Sequence, residues 1–582
     1  MKIIKRAFEL LVFLCFIFLH SCTPEKKPNV ILILTDDQGY GDFSCHGNPV
    51  LKTPVLDNLY LQCVRFTDFH VAPMCTPTRG ELMTGRDAMN NGATAVCLGR
   101  SMIREEIPTM ADIFQMSGYH TAHFGKWHLG DSYPYRPQDR GFEVTVHHGA
   151  WGIGSMADYF SNDYWDDVYF HNEKPTQYQG YCTDVWFDLA IDYMKKWKNN
   201  NSDKPFFLYL ANNCPHGPHR CDDKYSDPYI GKINNHQVAK FFGQIANIDE
   251  NMGRLLSFLD ETKLSDNTIL IYMTDNGTVR GYNVYNAGMR GHKTMPYEGG
   301  HRVPCFIKWP QGNIKGQKDI DETTQVQDIL PTLIDLCNLD KPNNTKFSGE
   351  SLAPVIYGKK EKLKDRMLVV QYDNPYNPTE NLAVLWNKWR LVKNEELYDI
   401  SVDPGQQNDI SEENPEVVKA MSNYYNNWWN KTEPLYEQKR FIHVGLKKQN
   451  PIMLYSSDWL GSYADNMGNL LNAIGRTGYW NVLVETKGEY EVTLSRWHPA
   501  SGDAIDGPTS LLPGEKQKAY PVAEARLKIG SFDKTVDITR GQKSVKFNVN
   551  IEEGKNKIET WFLDKEGKEL FSAFYTEMRL IK

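Results

Sequence analysis

The chain has 582 residues, of which 41% are hydrophobic and 24% are charged, and its formal net charge is −8 at pH 7. This is the composition of a globular protein, which excludes a disordered or collagen-like chain. The length predicts about two to four domains. Because the chain is acidic and has no long run of basic residues, it lacks the clustered cations that bind nucleic acid, and we expect no nucleic-acid partner.

The first 22 residues are predicted to be an export signal. Three basic residues among the first six precede an apolar run, 7–19, that is too short to span a membrane comfortably. The next residues, Leu19 to Cys22 (LHSC), resemble a bacterial lipobox, although His20 is unusual there. We expect residues 1–22 to be a lipoprotein signal peptide, with a plain signal peptide as the alternative. The mature chain would then lie in the bacterial cell envelope, either periplasmic or attached to the membrane only through an N-terminal lipid.

Eleven cysteines are scattered along the chain without the C-x-x-C pairs of zinc sites. We expect most of them to be small buried hydrophobic residues. Cys214 with Cys221 is a candidate local disulfide, since an envelope compartment is oxidising.

Several short apolar segments that stop abruptly at polar residues predict buried, parallel strands. They are 29–35 (NVILILT), 205–211 (PFFLYLA) and 268–274 (TILIYMT), with 119–124 as a fourth candidate. Between them, 185–197 and 238–259 keep one apolar face at helical spacing. Alternating strands and helices predict an α/β fold with a mostly parallel sheet, in which ligands bind beyond the carboxyl ends of the strands.

Two of these strand ends carry oxygen-rich side chains. Asp36 and Asp37 follow the first strand, and Asp275 and Asn276 follow the third. Such ligands suit Ca²⁺ or Mg²⁺ better than zinc. Each pair alone is also typical of a turn or a helix N-cap, so the metal-site hypothesis depends on the next motif as well.

Residues 75–85 read CTPTRGELMTG, which resembles the C-x-P-x-R signature of sulfatases with its Thr-Gly ending. Other blocks of that family follow in order: GKWHLG around Lys126, PHGPH around His216, TDNG at 274–277 and GHKTMPYEGGHRVP around Lys293. The resemblance is strong over 28–339 and weaker over 389–404. The chain is identified as a formylglycine-dependent sulfatase of the arylsulfatase type, within the alkaline phosphatase superfamily.

The resemblance implies an alkaline-phosphatase-like α/β sandwich with a large mixed, mostly parallel sheet. It also implies a small C-terminal α+β subdomain. We assign 28–345 to the catalytic domain and 346–440 to that subdomain.

The resemblance also implies a metal site and a modified cysteine. Four residues would hold one Ca²⁺, with Mg²⁺ as the less favoured ion: Asp36, Asp37, Asp275 and Asn276. A formylglycine-generating enzyme would convert Cys75 to formylglycine (3-oxoalanine), which also faces the ion. One oxygen of the hydrated aldehyde would attack sulfur and expel the alcohol, and inorganic sulfate would leave as the aldehyde reforms.

Five further residues receive roles from the resemblance: Arg79, Lys126, His128, His216 and Lys293. Arg79 and His128 would orient the hydrated formylglycine, and the other three would bind the sulfate oxygens. A sugar alkoxide needs a proton as it leaves, and either His216 or Lys293 would supply it. Without the other motif residues around them, the two lysines would be interpreted as solvated charges and the two histidines as loop or core residues.

Three more histidines lie beside motif residues and stay unassigned: His219, His292 and His301. The segment 158–169 is dense in Asp and aromatic residues. It is either a substrate-recognition loop or a packed surface loop.

From about residue 479 to 582 the hydrophobic pattern changes to period two, as at Trp480, Val482 and Val484. This predicts an antiparallel, half-buried sheet, such as a small β-sandwich. The segment 440–478 is expected to be a linker that packs back on the enzyme, with Trp459 and Tyr463 as anchors. We assign 441–582 to this linker and an accessory β domain, whose role is structural support or, alternatively, carbohydrate binding.

The leading functional prediction is a sulfatase that hydrolyses sulfate monoesters of a sulfated carbohydrate. A phosphate or phosphonate monoester hydrolase of the same superfamily is an alternative, disfavoured by the single oxygen-rich metal set and by Cys75. A catalytically silent glycan-binding protein is the other alternative. It would require an unoxidised Cys75 or a missing ligand, and the sequence lacks none of the ligands.

Overall fold

The structure is a computed structural model that describes residues 26–200, 203–343, 345–360, 362–373, 380–510 and 517–582. The predicted signal peptide, 1–22, lies outside the described residues. Within those ranges, no helix has the length and apolar character needed to cross a membrane.

A ten-stranded sheet lies at the centre of the larger unit. In spatial order its strands are Lys318–Ile320, Val64–Phe66, Cys305–Lys308, Thr268–Thr274, Asn29–Thr35, Phe206–Ala211, His120–Lys126, Val144–His148, Val168–His171 and Lys174–Gln177. The five strands from Thr268–Thr274 to Val144–His148 run parallel, and most of the flanking pairs are antiparallel. The predicted strands are confirmed as neighbours in this sheet, with ends shifted by at most two residues.

Helices cover both faces of the sheet. Val30, Leu32 and Leu34 belong to one hydrophobic core, with the helices Cys75–Thr84, Met110–Met116 and Ile329–Cys337. Ile31 and Ile33 belong to the opposite core, with the helices Cys182–Asn199 and His236–Glu261. The strand therefore alternates between two buried faces, and the predicted α/β sandwich and its two long helices are confirmed.

Shorter elements complete this unit. The other helices are Pro54–Gln62, Ala88–Asn91, Asp223–Ser226, Glu298–His301 and Ala353–Ile356. The 3-10 turns are Ser44–His46, Pro137–Asp139, Asp227–Tyr229, Gly281–Asn283 and Val326–Asp328. Phe69–His70 and Thr324–Gln325 form a separate two-stranded sheet.

A four-stranded antiparallel sheet follows, as the predicted α+β subdomain requires. Its strands are Leu368–Gln371, Leu382–Trp386, Trp389–Val392 and Glu396–Asp399. The helix Pro415–Tyr436 packs on this sheet through Met421 and Tyr425.

The C-terminal residues form two packed β-sheets. One sheet contains Ile442–Val444, Gly478–Val484, Gly554–Leu563, Glu524–Ile529 and Phe532–Asp537, with Leu460–Gly461 and Glu569–Phe571 at its margins. The other contains Ile452–Tyr455, Tyr575–Leu580, Gly488–Ser495 and Val545–Ile551. The helix Met467–Leu471 and the 3-10 turns Lys447–Gln449, Ser456–Asp458 and Pro499–Ser501 lie between strands. Trp480, Val482 and Val484 are buried in the shared core, which confirms the period-two prediction.

The prediction of a linker over 440–478 is corrected by the structure. This segment contributes the strands Ile442–Val444 and Ile452–Tyr455 to the sandwich, one in each sheet. Trp459 is fully buried, as predicted, but Tyr463 is 42% exposed and is not a buried anchor.

The sandwich and the catalytic unit share one hydrophobic core. Five residues of the 97–156 region belong to the sandwich cluster: Cys97, Leu98, Met102, Tyr135 and Met156. The backbone N–H of Leu98 also donates to the carbonyl of Ser457, at 2.8 Å. The β domain is therefore packed firmly onto the larger α/β unit.

All nine cysteines among the described residues are free thiols. The candidate disulfide between Cys214 and Cys221 is wrong. The Cys214 sulfur lies 3.9 Å from that of Cys182, while the Cys221 thiol faces the carbonyl of Lys240 at 3.6 Å.

Candidate active site

The predicted carboxylates meet at the carboxyl edge of the sheet. Thr35 pairs with Thr274 at the ends of two adjacent parallel strands, so Asp36 and Asp275 emerge side by side. The backbone N–H of Asp37 donates to Asp275 Oδ1 at 3.1 Å. The predicted convergence of the two strand ends is what the structure shows.

Cys75 is the first residue of the helix Cys75–Thr84, and all ten residues of that helix are buried. Its side chain faces the carboxylates, because Cys75 Sγ and one oxygen each of Asp36 and Asp275 lie within 4.8 Å of one another. The positive end of the helix dipole therefore points at the same place as the strand ends. Burial raises the pKa of the Cys75 thiol, so the unmodified side chain is neutral.

Each carboxylate of the site has a cationic partner. Lys126 Nζ lies 2.5 Å from Asp36 Oδ2, and Lys293 Nζ lies 2.6 Å from Asp37 Oδ1. Arg79 Nη2 lies 2.8 Å from Asp275 Oδ2.

Arg79 also donates through Nη1 to the carbonyl of Lys126, at 3.0 Å, which ties the Cys75 helix to a strand end. When all six are ionised, three carboxylates and three cations leave this group of side chains with no net charge.

The buried charges shift one another's pKa values. Burial raises the pKa of Asp37, but Lys293 and then His216 outweigh it and hold that pKa well below its ordinary value. Burial and the neighbouring Asp36 carboxylate raise the pKa of Asp275 to about 7. Added positive charge would therefore favour the ionised form of Asp275.

Two oxygen atoms of the site have no hydrogen-bond partner, although they are buried. They are Asp36 Oδ1 and Asn276 Oδ1. Asn276 donates its Nδ2 to Asp37 Oδ1 and to the carbonyl of Gly277, both at 2.9 Å, which fixes its amide and leaves the oxygen free. Unpaired buried oxygens cost roughly 1–3 kcal/mol each, and a hard divalent cation would satisfy both. The donor set fits the predicted Ca²⁺.

His128 lies against the cysteine. Its Nδ1 is 3.5 Å from Cys75 Sγ, and its Nε2 is 2.9 Å from Thr76 Oγ1 and 3.1 Å from the carbonyl of Val96. Burial and then Lys126 lower the pKa of His128 well below its ordinary value. The imidazole is therefore a neutral group that contacts the Cys75 side chain.

The sequence predicted no role for Thr76, although this residue lies within the C-x-P-x-R signature and contacts His128.

His216 lies on the outer side of the carboxylates. Its Nε2 is 3.6 Å from Asp37 Oδ2, and its Nδ1–H donates to the carbonyl of Gly217 at 2.7 Å. Burial lowers the pKa of His216 to about 3. The ring of Trp151 packs against the imidazole with 5.4 Å between ring centroids. Trp151 was not identified from the sequence, because it belongs to no motif.

The segment 158–169 behaves as a packed loop with one contact to the site. The carboxylate of Asp158 accepts the backbone N–H groups of Gly149 and Gly154 at 3.1 and 2.9 Å. The Tyr164 hydroxyl donates to the carbonyl of His216 at 3.2 Å. The segment therefore fixes the backbone of His216.

The three unassigned histidines have different surroundings. His219 Nδ1 contacts Gln244 Oε1 at 3.0 Å, and its Nε2 accepts from Arg280 Nε at 3.3 Å. His292 is half-buried and stacks on Tyr282, with 4.3 Å between ring centroids.

His301 lies in a second buried cluster, with His70 and Glu298, whose ligand atoms are close enough to hold a metal. Arg390, however, binds Glu298 Oε1 through Nε at 2.7 Å and Asp68 Oδ1 through Nη2 at 3.0 Å. Arg302 also lies 3.9 Å from Asp68 Oδ1 and 3.5 Å from Glu298 Oε2, so two guanidinium groups balance the two carboxylates. This cluster is therefore a structural ion-pair network.

Comparison with known proteins agrees with this geometry. Residues 28–339 match the Sulfatase family, and residues 290–430 match the family described as N-sulphoglucosamine sulphohydrolase, C-terminal. The chain belongs to the sulfatase family, with the alkaline-phosphatase-like fold, and its enzyme class is that of the sulfuric ester hydrolases.

Among its relatives, the ulvan-active sulfatase of Formosa agariphila is 30% identical over 415 residues, which cover 66% of this chain and 77% of that protein. The N-acetylgalactosamine-6-sulfatase of Canis lupus familiaris is 28% identical over 57% of this chain and 66% of its own length. The crystal structure of Ps i-CgsB in complex with k-i-k-neocarrahexaose is 25% identical, with a TM-score of 0.63, and covers 69% of this chain and 92% of that one.

Proposed function

We propose that this chain hydrolyses sulfate monoesters of a sulfated glycan, using a formylglycine formed from Cys75 and one bound Ca²⁺. The observation that carries the proposal is the placement of Cys75 Sγ beside Asp36 and Asp275, at a helix N-terminus and in contact with His128. The names of the relatives support a sulfated glycan as the substrate class, since they include an N-acetylgalactosamine-6-sulfatase and an ulvan-active sulfatase.

The ligands of the ion would be Asp36, Asp37, Asp275 and Asn276, and the ion would polarise sulfate oxygens and acidify the hydrated formylglycine. The side chains already present supply the rest of the electrostatics. With no net charge on the six ionised residues, a divalent cation gives the site a charge of about +2, which complements an anionic sulfate ester. Lys126 and Lys293, each held by a carboxylate, would meet the sulfate oxygens from fixed positions.

Arg79 and His128 position the reacting group. Arg79 is fully buried and contacts both Asp275 and the carbonyl of Lys126, so it holds the Cys75 helix against the strand ends. His128, held by Thr76 and by the carbonyl of Val96, would hold or move a proton at the oxygen that replaces Cys75 Sγ.

Protonation of the leaving alcohol is assigned to His216 or Lys293. Both contact Asp37, and two variants separate their roles. His216→Gln and Lys293→Arg should be assayed on a sugar sulfate and on an aryl sulfate with a good leaving group. The proton donor is the residue whose loss harms the sugar sulfate far more than the aryl sulfate.

The domain and location assignments accompany this proposal. They are a catalytic domain over 28–345, a subdomain over 346–440, an accessory β domain over 441–582, and a lipid-modified N-terminus in the bacterial envelope. A formylglycine-generating enzyme is the required partner.

The test is to express the chain with a formylglycine-generating enzyme and to confirm conversion of Cys75 by peptide mass spectrometry. Release of inorganic sulfate is then measured across sulfated mono- and disaccharides by ion chromatography, with Cys75→Ala as the inactive control. Converted protein that releases phosphate from phosphomonoesters but no sulfate from any saccharide would contradict the proposal.

A further inference from the structure

One loop of the catalytic unit places an aromatic ring beside the active site. Trp151 is half-buried and packs on His216, whose own side chain is 18% exposed at the outer side of the carboxylates. A ring in this position adjoins the space that the alcohol part of a sulfate ester would occupy.

The loop is held by two carboxylates, one half-buried and one buried, and it contains a residue with a strained backbone. Asp131 Oδ1 accepts the backbone N–H of Ala150 at 2.8 Å, and Asp158 holds Gly149. Ala150 adopts φ of +42°, in the left-handed region that residues with a Cβ avoid. Strain of this kind persists only where the surroundings impose it, and it often marks a functional position.

The C-terminal β domain supplies the other anchor of this ring. Trp151 Nε1 donates to the carbonyl of Asp465 at 3.2 Å. Asp465 itself is held at the start of the helix Met467–Leu471, where Asn469 Oδ1 accepts its N–H at 3.0 Å and Asn466 donates to its carboxylate at 2.9 Å.

A second aromatic side chain adjoins the same residue. Burial and then the nearby Asp465 carboxylate raise the pKa of Tyr463, and 42% of the residue is exposed. Contacts therefore run from His216 to Trp151 and on to Asp465 of the β domain, and Tyr463 lies close to Asp465. Aromatic rings with one apolar face and one polar anchor are suited to stack on sugar rings.

We propose that Trp151 and Tyr463 form a sugar-binding wall, with Trp151 under the pyranose that carries the scissile sulfate and Tyr463 under a neighbouring sugar. The β domain thus takes part in substrate recognition as well as in folding. This inference rests on the proposed function, since it assigns the alcohol side of the same site.

The test uses Trp151→Ala, Trp151→Phe and Tyr463→Ala in the converted enzyme, with Tyr424→Ala as a matched control. Tyr424 is 37% exposed on the helix Pro415–Tyr436 and bonds the carbonyl of Met367. Sulfate release is measured on a sulfated monosaccharide and on a sulfated tetrasaccharide. Inhibition by inorganic sulfate is measured as well, because it reports on the sulfate pocket alone.

Trp151→Ala should lower kcat/KM roughly tenfold on both saccharides, with inhibition by inorganic sulfate unchanged. Tyr463→Ala should lower kcat/KM more on the tetrasaccharide than on the monosaccharide. Trp151→Phe should keep most of the activity, because the ring remains although the N–H is lost. Tyr424→Ala should match the wild type.

The wall is refuted if Trp151→Ala and Tyr463→Ala leave both saccharides unaffected, or if Trp151→Phe is as damaging as Trp151→Ala. Weaker inhibition by inorganic sulfate, in proportion to the lost rate, would also refute it, because Trp151 would then only support the pocket. Should Trp151→Ala fail to fold, the Phe variant and Tyr463→Ala decide the matter.

The wall can also be tested without turnover, because Cys75→Ala protein cannot form formylglycine. Its affinity for the sulfated tetrasaccharide is measured by calorimetric titration and compared with that of the double variant Cys75→Ala, Tyr463→Ala. Weaker binding in the double variant supports the wall, and equal binding refutes it. A wild-type enzyme that binds saccharides but releases no sulfate from them would refute the proposed function and leave the wall standing.

Discussion

Arg390 is a buried cation that joins two parts of the chain outside the active site. It is fully buried on the strand Trp389–Val392, and it binds Glu298 at 2.7 Å and Asp68 at 3.0 Å. It therefore joins the α+β subdomain to the helix Glu298–His301 of the catalytic unit. Arg390→Met removes the charge while keeping a long side chain, and it leaves two buried carboxylates without their main partner.

The size of the effect follows from the pKa of Glu298. Burial raises this pKa, but Arg390, with smaller contributions from His70 and His301, outweighs burial, and the pKa falls from 4.5 to about 2. Such a shift corresponds to roughly 3 kcal/mol of stability at neutral pH. Removing one partner of a buried ion pair costs about 3–5 kcal/mol, which agrees. We expect Arg390→Met to lose at least about 3 kcal/mol at pH 7.

The pH dependence has a definite sign. Because the folded-state pKa of Glu298 is depressed, its stabilisation is fully present above pH 4.5 and is lost as the pH falls towards 2. The difference between wild type and Arg390→Met should shrink by roughly 1 kcal/mol between pH 7 and pH 4.

Urea unfolding curves at the two pH values measure both effects. Arg526→Met is the control, because its ion pair with Asp533 is more than a third exposed on each side and should contribute little. An unchanged urea midpoint for Arg390→Met at pH 7 would show that the reasoning is wrong. So would a loss of unfolding free energy that is as large at pH 4 as at pH 7.

Three other predictions concern the reaction and the β domain. Cys75→Ala should fold normally and lose essentially all turnover, and substantial residual sulfate release would exclude the formylglycine mechanism. Asp36→Ala and Asp275→Ala should each lower both bound calcium, by elemental analysis, and rate, whereas stoichiometric zinc in the wild type would count against the assigned ion. Truncation after Lys439 should give aggregated or thermally weakened protein, because it exposes the core shared with Leu98, and normal melting of the truncated chain would contradict this.

The strand ends could be predicted from sequence because two simple rules act together. A continuous β-branched run such as 29–35 fits only a strand buried on both faces, and parallel strands bring their carboxyl ends to one edge. These rules predict that Asp36 and Asp275 lie at the same edge of the sheet. The signature around Cys75 then supplied the remaining partners.

The residues that were missed act through contacts that no local pattern encodes. Trp151 contacts Asp465, which lies 314 residues further along the chain, and no local pattern in either segment predicts this contact. Tyr463 was expected to anchor the 440–478 segment on the enzyme, but 42% of the residue is exposed. The 440–478 segment lacks strong alternation, and its short strands form only because longer neighbours offer them an edge.

The burial of the Cys75 helix limits when Cys75 can be modified relative to folding. All ten residues of this helix are buried, and Cys75 itself is 2% exposed. Under the proposed function, a formylglycine-generating enzyme would have no access to Cys75 once the sheet has closed over the helix. Conversion would then have to precede the completion of folding, and a chain that folds first would stay inactive until it unfolds.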